Sequence, residues 1–278
     1  MKRKLVLLFM LLGFLSIHAQ MATLYNLNEI RSGKEIDKVR YEIVYQMQEV
    51  FDTLKNAHFN EQMLLQIGDK SSAFFSYPRY QSDSLVLAMV KKGESNIQVN
   101  VKSMVSWKLY KNYPEVGKCS YIDNVSTNYV CEEKLDLPHW QLIADSTDTI
   151  VGYLCHLATA HYKGRLWLAW YTDDIPIDNG PWKLQGLPGL ILKASDSQGQ
   201  FVFTAVGMHS IKDFPLLYTG EKYESISRQD LKKLYARFHS DEIGFLLSAN
   251  KNMKITFTNE NGEVMKHSKA ISYNEIER

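Results

Sequence analysis

The chain has 278 residues, 45% of them apolar and 12% aromatic, enough for a sizeable core in one large domain. Its 32 basic and 31 acidic residues leave a net charge of +1, so no electrostatic argument favours nucleic acid or an anionic membrane as partner. Internal repeats and low-complexity tracts are absent, which removes solenoids and disordered linkers from consideration.

The first residues have the layout of a secretory signal peptide over residues 1–19. Lys2, Arg3 and Lys4 form a basic head, "LVLLFMLLGFL" an apolar centre, and "IHAQ" places Ala19 before a cleavage site. That apolar run is short for a bilayer span and no second one follows, so no transmembrane anchor is expected after cleavage. Residues 20–278 then read as a single exported domain. Export implies an oxidising compartment for Cys119, Cys131 and Cys155. Cys119 and Cys131 flank "SYIDNVSTNYV" and suit a loop or hairpin staple, worth about 3 kcal/mol through the unfolded chain. Cys155, in an apolar run, reads as a buried thiol, and the connectivity stays open.

Most of the chain alternates with period two, the mark of half-buried strands. "VRYEIVYQMQEV" (39–50) is one, "MLLQIGDKSSAFFSYP" (63–78) is two around Gly68-Asp69, and "NIQVNVKSMVSWKLY" (96–110) is another. "SDSLVLAMVKKG" (82–93) fits helix or strand. "TIVGYLCHLATAHY" and "LWLAWYT" are joined by "KGR", "ILKA" and "QFVFTAV" by "SDSQG", and Asn261-Gly262 marks a late hairpin. "SISRQDLKKLYARF" is the clearest helix. Ser227 and Asp230 suit a capping box, and Leu231, Leu234, Tyr235 and Phe238 share one face. Many hairpins and few crossover helices predict a mainly β, α+β fold: a large curved, half-barrel-like antiparallel sheet with one or two helices packed on it.

The densest stretch is "GPWKLQGLPGLIL" (180–192). Pro188-Gly189 suits the centre of a type II turn that feeds the "LILKA" strand, with Trp182 and Leu187 packed inward. Gly186 and Gly189 leave space for close backbone approach. The stretch lacks a Walker lysine, and no helix follows to hold a phosphate.

The string Gly186, Leu187, Pro188, Gly189, Leu190, Ile191 resembles the signature of the GLPGLI family of exported Bacteroidetes proteins, also called Porph_ging. Cys155, Arg165, Trp170, Tyr171, Pro176, Trp182 and Lys183 fall at matching places, and the specific resemblance runs from Trp140 to Phe203. It implies export, association with the Gram-negative envelope and proximity to outer-membrane transport systems, without an established activity.

Chemistry is hard to assemble from the residues. Cys155, His156 and His161 alternate faces on a strand and do not readily share a metal ion. His139, His156, His161 and His209 lack a partner serine or cysteine in any catalytic context. Asp173 and Asp174 read as a solvated loop. On the "RLWLAWYT" strand Leu166, Leu168 and Trp170 share one face, and Trp167, Ala169 and Tyr171 the other. Both faces are apolar, so Trp167, Trp170, Tyr171 and Trp182 either line a groove for an apolar or peptide ligand or form ordinary core. Arg165 and Lys183 either supply polar anchors at the rim of such a groove or simply solvate it. The expected function is non-enzymatic binding of a ligand or partner protein, without cofactor or metal. A periplasmic hydrolase using a histidine near 156–161 and a structural accessory of an outer-membrane transporter are the alternatives.

Overall fold

The computed structural model describes residues 33–94, 103–249, 256–259 and 261–278. The signal peptide of residues 1–19 and the first part of the "NIQVNVKSMVSWKLY" strand lie outside them. Among the described residues, no helix is long and apolar enough to cross a membrane.

Six strands come first among the described residues: β1 (Lys34–Asp52), β2 (Ala57–Gly68), β3 (Ser72–Ser76), β4 (Lys108–Lys111), β5 (Lys118–Asn124) and β6 (Asn128–Lys134). Five more follow: β7 (Gln141–Ile150), β8 (Tyr153–Tyr162), β9 (Arg165–Thr172), β10 (Leu190–Asp196) and β11 (Phe201–Tyr218). With the two-residue β12 (Glu224–Ser225) they form one twelve-stranded sheet in the order β12-β6-β5-β4-β3-β2-β1-β11-β10-β9-β8-β7. Every pairing is antiparallel except β12 with β6. The sheet is curved and not closed into a barrel, in agreement with the sequence reading. It consists of two meanders, β1–β6 and β7–β11, joined where β1 pairs with β11.

Alternation along β2 and β3 shows how the sheet feeds two cores. Met63, Leu65 and Phe74 point to one face, and Leu64, Ala73 and Phe75 to the other. The larger core, on the inner face, gathers Ile43, Tyr45, Met47, Leu109, Trp167, Trp182 and Phe203. The smaller one lies on the outer face under helix α1 (Tyr77–Lys91), whose Tyr77 and Tyr80 pack on it. The ambiguous "SDSLVLAMVKKG" run forms the later part of this helix and its C-terminal cap. Ser76 caps it by accepting from the Arg79 N–H, and Pro78 sits in the first turn, where its missing donor costs nothing.

Helix α2 (Arg228–Ser240) follows its sequence signature, with the Asp230 N–H donating to the Ser227 hydroxyl. Leu231, Leu234 and Tyr235 pack on the inner core, whereas Phe238 meets Phe245 of the short helix α3 (Glu242–Ala249), ring centroids 5.5 Å apart. The late hairpin also forms, as β13 (Phe257–Thr258) and β14 (Val264–Met265).

Two tight hairpins follow one rule. Lys163 and Gly164 have φ of +50° and +77°, and Val151 and Gly152 have +51° and +83°. Positive φ at both central residues matches the right-handed twist of flanking strands. Valine is a poor choice there, because a β-branched residue strains in the left-handed region by about 1–2 kcal/mol. Val151→Asn should therefore stabilise the protein by about 1 kcal/mol, read as a rise in the urea midpoint at unchanged slope. An unchanged or lowered midpoint would contradict this account of the turn.

Candidate functional site

The 180–192 stretch folds as a loop tucked onto the start of β10. Leu190 N–H donates to the Ile175 carbonyl and Ile191 N–H to the Asn179 carbonyl, both at 3.0 Å, and Tyr45 OH reaches the Ile191 carbonyl at 2.6 Å. The expected type II turn at Pro188-Gly189 is not formed. The positive φ belongs to Gly186 (+94°) and, unexpectedly, to Trp182 (+50°). Gly189 is needed for space: a Cβ there would stand 1.9 Å from the Thr172 carbonyl oxygen. Trp182 and Leu187 are packed inward as expected.

The six residues expected to bind a ligand have diverse placements. Strand β9 alternates as read, with Trp167 and Tyr171 buried and Trp170 half-buried against the same core. Trp167 and Trp182 are fully buried with ring centroids 5.5 Å apart, and Trp167 stacks on Phe203. They form core, and both indole N–H groups lack a hydrogen-bond partner.

Arg165 and Lys183 are not at a rim. Each side chain is 1% exposed, because each is enclosed by partners distant in sequence. Arg165 donates through Nη1 to Asp196 Oδ2 (2.7 Å) and Gln200 Oε1 (3.0 Å). Through Nη2 it donates to Asn274 Oδ1 (2.7 Å) and the Glu275 carbonyl, and through Nε to the Ile276 carbonyl (3.0 Å). Lys183 Nζ donates to Glu133 and Glu277, and Arg228 donates to Glu133 while lying over the Tyr121 ring, 4.6 Å from its centroid. These cations hold Glu133 below the usual carboxylate range despite its burial.

The two family-block cations thus converge on one object, the extended segment 272–278. Its ladder starts beside β1: Thr53 N–H donates to the Ser272 carbonyl, Tyr273 bridges Asp52, and Asn274 N–H donates to the Phe51 carbonyl. Asn274 is buried and read at both ends of its amide, since Nδ2 donates to the Val50 carbonyl at 2.8 Å. Tyr273 stacks on His239 with centroids 4.0 Å apart, and Arg278 N–H reaches the Lys163 carbonyl. Gly164 leaves room for that end, since a Cβ there would meet Arg278 Cβ at 2.6 Å. Nothing local in the sequence marks this segment or its partners Asp196, Glu133 and Arg228.

Two acids border the same end of the inner face. Glu61 accepts from Ser103 Oγ (2.6 Å) and the Met104 N–H (2.7 Å). Glu49 is buried, and its pKa is pushed up to about 8, chiefly by desolvation. Nearby, Asp123 accepts from Ser106 Oγ, Tyr235 OH and the Asn124 N–H, which ties α2 to β5.

The cysteine staple is not formed, and Cys119, Cys131 and Cys155 are free and buried. Cys119 faces Glu133 and Cys131 faces Tyr121 across the β5–β6 pair, so the two thiols are diagonal neighbours. Diagonal positions lie about 7–8 Å apart, beyond the reach of unstrained disulfide geometry. The histidines are scattered. His156 lies by Tyr171, centroids 6.0 Å apart, and His161 is exposed at a shallow cavity of about 180 Å³ that Arg165, Asp196 and Arg278 also line. His209 stands on the outer face, 3.0 Å from Glu42. Asp173 and Asp174 are exposed, as a solvated loop requires.

Two crystal structures, "Structure of PNGF-II in P21 space group" and "Structure of PNGF-II in C2 space group", are similar to this chain at 17% identity. The similarity covers 70% of this chain and 33% and 32% of theirs, with TM-scores of 0.47 and 0.46. The chain therefore spans about a third of the length of those structures. No curated protein matches the sequence. A family model described as "Protein of unknown function (Porph_ging)" matches residues 163–193, the block that carries Arg165, Trp182, Lys183 and the GLPGLI string. Over that block the chain matches the Porph_ging (GLPGLI) family.

Proposed function

We propose that the protein is an exported component of the bacterial envelope that works by holding an extended stretch of polypeptide, not by making or breaking covalent bonds. The observation that carries this reading is the grip of Arg165 on residues 274–276: two main-chain carbonyls and one side-chain amide, from a guanidinium that is itself buried. Main-chain recognition next to a short ladder on a strand end is how sheets take up peptides. The basic and apolar start of the sequence supports export, and the family resemblance supports an envelope partner such as an outer-membrane transport component.

The test loosens the protein's own segment in the full-length chain with Asn274→Ala and Glu277→Ala, after circular dichroism has shown the variant folded. A fluorescent peptide of residues 270–278 is then titrated and its anisotropy followed. Saturable binding displaced by unlabelled peptide is expected. A flat titration on the folded variant would overturn the reading.

A further inference from the structure

The carboxylates around the 272–278 segment are divided in a telling way. Arg165 keeps Asp196 and Gln200 as partners on the body of the protein, independent of the segment. Lys183 and Arg228 share Glu133, which also belongs to the body. If the segment left, none of Arg165, Lys183 and Arg228 would be stranded without a carboxylate, the arrangement that makes breaking a buried pair so costly. Lys183 and Arg228 would then share one body carboxylate, Glu133, between them. Glu277 is the carboxylate that completes the set, at Lys183 Nζ and 3.8 Å from Arg228. A seat built only to anchor one segment for good has no need of body partners for every cation.

Resting on the peptide-binding reading above, we infer that the 272–278 segment is a displaceable occupant of its seat, and that the seat selects polypeptides with asparagine followed three residues later by a carboxylate. The asparagine amide is specified from both sides, by Arg165 Nη2 on its oxygen and the Val50 carbonyl on its nitrogen. The carboxylate is specified by the one cation charge the body leaves uncompensated. The Glu275 carboxylate, between them, pairs with the half-buried Lys232 at 3.4 Å, so that side chain is read loosely. The protein's own Asn274 and Glu277 satisfy the rule, and the segment acts as a competitor in cis that sets the threshold for a partner.

The experiment uses the full-length chain and the loosened Asn274→Ala/Glu277→Ala variant with four labelled peptides. These are the native 270–278 sequence and versions with Asn274→Ala, Glu277→Gln and Glu275→Gln. The loosened variant should bind the first and second substituted peptides about 10- to 100-fold more weakly than the native one, the loss expected for hydrogen bonds to charged groups. The Glu275→Gln peptide should bind within about 3-fold of native, as a half-exposed pair implies. The unaltered chain should bind the native peptide at least about 10-fold more weakly than the loosened variant, as competition in cis requires. Equal binding of all four peptides would overturn the selection rule and leave peptide binding standing. Equal affinity of the two proteins would overturn the competitor role. Absence of binding to a folded loosened variant would remove the underlying reading as well.

Discussion

Gly189→Ala should destabilise the protein by about 4 kcal/mol, nearly as much as Gly189→Val, in the upper range for a single overpacking change. The first added carbon already stands 1.9 Å from the Thr172 carbonyl oxygen, and that oxygen is main chain that cannot swing aside. Strand β10 would have to move off β9 at the Leu190–Thr172 pair, and Ile191 would lose its place opposite Tyr171. A glycine needed only for a left-handed backbone would behave differently, with alanine costing about 1 kcal/mol. Urea midpoints for both variants, at unchanged slope, separate the explanations. A Gly189→Ala loss near 1 kcal/mol would refute the close-approach account.

Glu49→Gln should flatten a fall in stability that the parent protein shows between pH 4.5 and 8. In the unfolded chain this carboxyl loses its proton near 4.5, whereas in the folded protein burial keeps it protonated to about 8. The folded state therefore holds the extra proton throughout that window, and stability falls as pH rises through it. The contribution is fully present below 4.5 and gone above about 8. Each pH unit in the window is worth about 1.4 kcal/mol, so the variant should gain on the parent on the order of 4 kcal/mol between pH 4.5 and 8. Lys111 acts with the opposite sign. Lys111 donates to the Gly180 carbonyl, and burial holds its ammonium down to about 7. The unfolded chain then holds the extra proton between 7 and 10.5, and stability rises with pH there. The parent should show a stability minimum near pH 7–8, and urea titrations across pH 4–10 read it directly. Parallel curves for parent and Glu49→Gln would rule out a proton held on Glu49.

Features that depend on near neighbours were legible in the sequence. The period-two alternation of β9 placed Trp167 and Trp170 on opposite faces, and "KGR" announced a short hairpin connection. Ser227 marked the start of α2. The capped helix α1 was ambiguous because its apolar residues follow neither period strongly, and Ser76 and Pro78 decide it. What could not be read depends on distant partners. Arg165 and Lys183 looked like solvated anchors because their neighbours in sequence offer no carboxylate, yet Asp196 and Glu277 enclose them from 31 and 94 residues away. The cysteines looked bridgeable by spacing, and register alone separated them. Gly189 was recognised as a special position, but its reason, a carbonyl on a neighbouring strand, has no local trace.

The junction of the two meanders has a consequence for how quickly the molecule can form. Each meander is built from hairpins, so its loops close early and at small entropic cost. The β1–β11 pairing instead unites Lys34 with Tyr218 and Glu49 with Phe201, across most of the described chain. That contact can form only after β11 has been synthesised and β10 has placed it, and high sequence separation of this kind slows folding. Until then both long strands expose unpaired edges of the sort on which chains aggregate. The yield of native protein should therefore depend on the rate of this one closure more than on the stability of either half.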